Sequence, residues 1–204
     1  MHQHIKAITE FCLAKGIIKD QDAVWFSYGL ERRVTTLIVA IPFFFVASAL
    51  TNILTAISYF VSYFFLRTKT NGYHAHTLIG CIALSLLVEV FFCAALYPIE
   101  GTIWIALLIA ISCSLIYCFA PYVHENLPLP ASAVSTCRQQ ARFRGVLLSS
   151  VALIVQLLGL TALSKGVTMG ITTASCMLCI PYIKRKVIAA WKRLTKKSEF
   201  SPPK

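Results

Sequence analysis

Residues 34–66 carry no charged side chain over 33 consecutive positions, and this run limits the chain more than any other feature. So long an apolar stretch reads as membrane helix rather than as the buried face of a soluble domain. As a single helix it would measure about 50 Å, against a hydrocarbon core of about 30 Å. Two arrangements remain: one strongly tilted helix, or a helical hairpin that turns back near residues 48–52. Thr51 and Asn52 supply polar turn residues, and Pro42 can kink the first arm.

The basic residues choose between them. Further apolar segments follow at 78–97, 102–119, 145–163 and 167–183. Turn signals stand at 98–101 and at Ser164, Lys165 and Gly166, and a polar, proline-containing loop is expected at 120–144. If 34–66 folds back, there are six membrane helices and both termini share one side. That side then holds 18 of the 19 Lys and Arg residues, all but Lys165. With a single tilted helix, 13 of the 19 would lie opposite the N-terminus. Cytosolic loops carry an excess of Lys and Arg, so the hairpin is preferred, with both termini and the 67–77 loop cytosolic.

The expected fold class is therefore all-α: a polytopic membrane protein with six transmembrane or membrane-embedded helices in a lipid bilayer. One domain covers 1–204. Its core is 34–186 and its basic cytosolic tail is 187–204. Residues 1–33 precede the core as short amphipathic surface helices: Ile5, Ile8 and Cys12 recur at helical spacing, and Asp20 and Asp22 can cap a second short helix over 23–26. The net charge of +11 is explained by this topology, since no aromatic-interleaved basic patch lies outside the apolar segments. A nucleic-acid partner is not expected. The eight cysteines mostly sit inside apolar segments and read as packing residues, the Cys176-x-x-Cys179 pair included.

A short polar island separates two of these apolar runs. It holds Arg67, Asn71, Gly72, His74 and His76, with Cys81 seven residues after His74. A cysteine becomes a strong nucleophile when a nearby imidazole takes its proton. Seven residues along a straight helix span about 10 Å, so His74 would have to lie on the loop and fold back over the start of the Cys81 helix. Gly72 would allow the backbone angles that such a loop needs. The same pattern also suits a solvated loop followed by a buried cysteine. His74, His76 and Cys81 lack a further acidic or cysteine ligand at fitting spacing, so neither a metal nor any other cofactor is expected. Glu89 lies mid-span, where an acidic side chain is usually functional or paired. On that ground a non-enzymatic scaffold or transporter, with Glu89 and Arg67 lining a pathway, is the alternative.

The spacing Arg67-x4-Gly72-x-His74-x6-Cys81, opening an apolar helix in a chain of about this length, resembles the accessory gene regulator B (AgrB) family. Further matching stretches are Tyr28 to Glu31, Ala120-Pro121 and Pro128, and the likeness runs from about residue 28 to 186. It departs in the 122–144 loop, where family members often carry a run of lysines. The resemblance implies a bacterial plasma-membrane cysteine endopeptidase of peptide quorum sensing. Its partner would be an AgrD-type autoinducer propeptide, cleaved through an acyl-enzyme that closes to a thiolactone. It implies a homodimer, with His74 and Cys81 as the catalytic pair and Arg67 and Gly72 around them. Asn71 is a candidate to orient His74, and Glu89 a candidate substrate contact or transition-state support.

Overall fold

The computed structural model describes residues 2–70, 77–123 and 131–199, and all regular structure among them is helical. Seven α-helices follow one another: α1 (His2–Ala14), α2 (Ala23–Leu50), α3 (Ile53–Thr70), α4 (Leu78–Leu96), α5 (Thr102–Phe119), α6 (Ala131–Leu157) and α7 (Thr161–Glu199), with one 3-10 turn at Asp20–Asp22.

The uncharged run does break, at Thr51-Asn52. The Thr51 amide and hydroxyl both donate to the Ala47 carbonyl, at 2.9 and 2.7 Å, closing α2. The Asn52 side chain accepts from the Thr55 amide at 2.8 Å, capping the start of α3. The arms then pack as a hairpin: Phe43 meets Tyr59 and stacks on Tyr63 with centroids 5.1 and 5.0 Å apart, and Phe44 meets Phe60 at 5.7 Å. Turn and aromatic zipper together make the fold-back inferred from length and charge.

Four boundaries differ from the sequence reading. The short helix expected at 23–26 is the first turn of α2, because nothing between Ala23 and Thr51 stops the helix and Pro42 is carried within it. The polar stretch 131–144 is helical and belongs to α6. The turn expected at 164–166 lies instead at 158–160, where Gly159 takes φ 77° and the Leu160 and Gly159 amides bond back to Val155 and Gln156. α7 then continues through the stretch expected to be a tail, as far as Glu199.

Gly166 has a packing role rather than a turning one. A Cβ there would overlap the Thr55 carbonyl and the Ser58 hydroxyl of α3, and one on Gly170 would overlap the Ser62 hydroxyl and stand 2.9 Å from the Tyr63 amide. Glycines four apart thus let α7 touch the backbone of α3. Polar contacts stitch the crossing: Thr55 Oγ1 donates to the Ala162 carbonyl at 3.0 Å, and the Tyr59 and Thr173 hydroxyls meet at 3.1 Å. These contacts advance along both helices together, so α3 and α7 are parallel. Ser112 to Thr172 and Tyr182 to Phe119 place α5 parallel to α7 as well. Ser164 to Ala152 and Cys113 to Ser149 make α6 antiparallel to both.

α7 is the central helix, with 72% of its apolar span buried against 11% for α4, whose side chains mostly face outward. Among the described residues, four helices are long and apolar enough to cross a membrane: Asp20–Leu50, Ile79–Leu96, Thr102–Phe119 and Thr161–Val187. The expectation of six is met only in part. α3 and α6 are the other two of the six, and they are more polar for visible reasons. α3 turns Thr55, Ser58, Ser62 and Thr70 inward, and α6 begins with Arg138, Arg142 and Arg144.

The crossing yields a stability prediction. Gly166→Ala and Gly170→Ala should each cost about 1–3 kcal/mol, because the obstacle is backbone that cannot step aside. Gly29→Ala, where nothing lies within 4 Å, should be neutral or slightly stabilising. Thermal unfolding of the purified variants in detergent micelles reads the difference.

Candidate functional site

Alternating helix directions sort the polar groups to opposite ends. At one end lie the turns 51–52, 97–101 and 158–160, tied by Lys165, which pairs with Glu100 at 3.1 Å and donates to the Tyr97 carbonyl at 3.3 Å. The other end gathers the guanidinium groups onto helix termini. Arg144 donates to the Phe65 carbonyl and the Thr68 hydroxyl at 2.7 Å each, and lies over the Phe65 ring. Arg142 does the same at the end of α5, reaching the Tyr117 carbonyl at 3.0 Å across that residue's ring. Cations at helix C-termini satisfy carbonyls left without an intrahelical donor.

This second end holds the polar island. α3 ends at Thr70, which is buried and whose carbonyl accepts from the Tyr122 amide at 3.0 Å, so the chain beyond α5 is pinned to the end of α3. α4 starts after Thr77, whose hydroxyl accepts from the Gly80 amide at 3.1 Å. The Cys81 amide bonds to the Thr77 carbonyl at 2.9 Å. Cys81 therefore occupies the first turn of α4, half-buried and not in a disulfide. Unpaired amides and the helix dipole favour negative charge at this position.

Arg67 stands in the last turn of α3, half-buried, with its guanidinium near the Tyr63 hydroxyl one turn earlier. The Tyr63 hydroxyl also lies within electrostatic range of Cys81 and Glu89. Tyr63 is a candidate that sequence reasoning missed. The signal was the four-residue spacing Tyr59, Tyr63, Arg67, hidden in a helix rich in aromatics. Tyr63 is held firmly: its ring is stacked on Phe43 and is edge-on to Phe64 at 5.0 Å.

Glu89, two turns beyond Cys81, is fully buried. The Ala47 backbone of α2 is near enough to influence its carboxyl, yet neither oxygen has a partner in hydrogen-bonding geometry among the described residues. Asn71, Gly72, His74 and His76 lie outside the described residues. Arg67 and Cys81 thus flank the undescribed stretch at the same end of the bundle, and the pairing of His74 with Cys81 is not tested. Among the described residues, no three His, Cys, Asp or Glu side chains are grouped to hold a metal. Cys176 and Cys179 are half-buried thiols on α7, within the packed interior.

The sequence profile of the family described as Accessory gene regulator B matches residues 5–180, from α1 well into α7 and across the whole site. No curated protein and no solved structure matches the chain.

The Thr77 cap has a measurable consequence at Cys81. Thr77→Ala should destabilise the first turn of α4 by about 1 kcal/mol, while Thr77→Ser keeps the acceptor. Amide exchange at Gly80 and Cys81 should then be about fivefold faster in the alanine variant alone.

Proposed function

The chain belongs to the accessory gene regulator B family, whose members act in the membrane on a quorum-sensing propeptide, and from that premise we propose that it is a membrane-embedded cysteine endopeptidase. The observation that carries the reading is the family match over the stretch that holds Arg67, Gly72, His74 and Cys81, with Cys81 on the first turn of a helix. The substrate is an AgrD-type propeptide, and the C-terminal part is released.

The chemistry follows from the residue types. His74 takes the thiol proton, and Cys81 Sγ attacks the scissile carbonyl carbon. The carbonyl oxygen becomes negative, and Arg67 offers it a cation and N–H donors. When the C–N bond breaks, the proton on His74 goes to the leaving amine, and the N-terminal part of the peptide stays on Cys81 as a thioester. A thiol of that same peptide then attacks the thioester, closing the thiolactone and freeing Cys81. Water competes with this second step, so a site recessed among apolar helices favours cyclisation over hydrolysis. The rival reading, a scaffold or transporter, draws on buried Glu89 but gives the Cys81 surroundings no task.

The end that carries Arg67, Arg142 and Arg144 faces the cytosol in this reading, as the distribution of basic residues requires. Arg138→Cys, in a background without the native cysteines, should resist a membrane-impermeant maleimide in intact cells, and Glu100→Cys should label readily. Equal labelling of the two would refute the topology. For the chemistry, Cys81→Ala and His74→Ala should each abolish cleavage of the co-expressed propeptide, by at least about a thousandfold. Mass spectrometry of the peptide products reads this, and normal processing by Cys81→Ala would exclude the peptidase reading.

A further inference from the structure

The last part of α7 is more ordered in its pattern than topology requires. Between Lys184 and Glu199 the helix carries seven Lys and Arg residues against a single acid, Glu199. Charge bias alone accounts for basic residues at the end of a span. It does not account for their placement. By helical register Arg185, Lys192, Arg193 and Lys196 share one side, and Val187, Ile188, Trp191 and Leu194 share the opposite one. The stretch lies beyond residues 5–180, to which the family match extends.

Contacts fix the point where α7 leaves the bundle. The Tyr182 hydroxyl donates at 3.1 Å to the carbonyl of Phe119, the last residue of α5, and the two rings lie 5.1 Å apart. The Arg185 guanidinium stands 5.9 Å from the centre of the Tyr122 ring. Ile183 and Val187 are exposed instead, on the side of α7 turned away from these contacts. The apolar span of α5 ends at Phe119 and that of α7 at Val187, so the membrane boundary lies close to these residues. Were the helix to run straight on, Leu194 would stand about 18 Å beyond Tyr182, with the whole apolar arc in water.

We infer that α7 bends away from the bundle at this boundary and that residues 186–199 lie along the membrane surface, where they bind anionic phospholipid headgroups. Pro181, carried within α7 just before the boundary, removes a backbone donor and gives the bend point. A helix that bends outward turns its lipid-facing side toward the bilayer. The arc begun by Ile183 and Val187 then carries Trp191 and Leu194 into the headgroup layer, and lysine and arginine stems reach back to phosphate oxygens. Other occupants fit worse. A second copy of this helix would bring two strongly basic segments together, and an acidic peptide or a nucleic acid would use the charges but leave the apolar arc in water. The bilayer offers both an apolar phase and negative charge, and α7 is already anchored in it. The inference needs only the membrane setting and is independent of the peptidase reading.

The test reads the depth of Trp191. The full-length protein with Trp25→Phe and Trp104→Phe, both outside the packed core, keeps Trp191 as its only tryptophan. It is reconstituted in phosphatidylcholine vesicles, without or with about 30% phosphatidylglycerol, and its emission is quenched by brominated acyl chains or by acrylamide. With phosphatidylglycerol present, brominated chains should quench Trp191, and acrylamide should quench it about threefold less than in phosphatidylcholine alone. Raising the salt to about 0.5 M should remove the difference, as should Lys192→Gln, Arg193→Gln, Lys196→Gln and Lys197→Gln together. Salt acts on the native tail, so that arm reads the charge even where the fourfold variant fails to accumulate. Equal quenching in the two kinds of vesicle overturns the inference, whether Trp191 lies in lipid or in water in both. So does shielding from acrylamide without quenching by brominated chains, because a protein surface would then cover the arc. Shielding by added polyglutamate, and not by phosphatidylglycerol, overturns it as well and assigns the face to an acidic peptide.

Discussion

The contact between α3 and α7 is the one on which the other arrangements depend. Lipid gives no hydrophobic push between helices, so close approach must come from packing and interhelical hydrogen bonds. Gly166 and Gly170 remove the side chains that would hold the two backbones apart, and Thr55, Tyr59 and Thr173 add bonds across the crossing. α7 becomes the axis against which α5 and α6 also pack, and α3 becomes an interior helix. Its inner position explains why it can be rich in Ser, Thr and Tyr while α4 is almost wholly apolar.

Fixing α3 fixes the site. With Ser58 and Ser62 turned toward α7, Phe43 of α2 packs on the rings of Tyr59 and Tyr63. The Tyr63 hydroxyl then lies near Arg67, with Cys81 and Glu89 of α4 within its electrostatic range. α4 contributes Cys81, the proposed nucleophile, from a helix that is otherwise mostly exposed. Anchoring one wall deep in the bundle while leaving the other near the lipid suits the proposed site, to which a peptide would come from the membrane surface. The basic end serves the same geometry, because Arg142 and Arg144 bind the last turns of α5 and α3.

The sequence disclosed the fold where two physical limits acted together. Residues 34–66 were too long for one upright helix, and their flanking charges were on the wrong side for a tilted one, so the turn at Thr51-Asn52 was legible. Ser164, Lys165 and Gly166 misled because a glycine between polar neighbours suits a turn and a close helix crossing equally well. The true turn at Gly159 is flanked by leucines and carries no polar signal. Helices α3 and α6 were expected as spans equal to the rest, but interior position and arginine-bearing ends make them more polar. In the site, Arg67 and Cys81 were singled out from spacing and resemblance, and the loop residues proposed between them lie outside the described residues. Tyr63 was not singled out, because it is one tyrosine among many aromatics in α3. Glu89 was legible as an intramembrane acid, and the structure shows it buried with neither oxygen partnered among the described residues.

The central claim is that Cys81 carries the acyl group between cleavage and ring closure. It is tested most directly by supplying a propeptide whose ring-closing cysteine is replaced by alanine, so that the second transfer has no nucleophile. Intact-mass and peptide-level mass spectrometry of the protein should then show an increase equal to the N-terminal peptide fragment, located on Cys81 and removed by hydroxylamine. Release of the C-terminal fragment with no adduct on the protein, or with an adduct on another residue, would contradict the account.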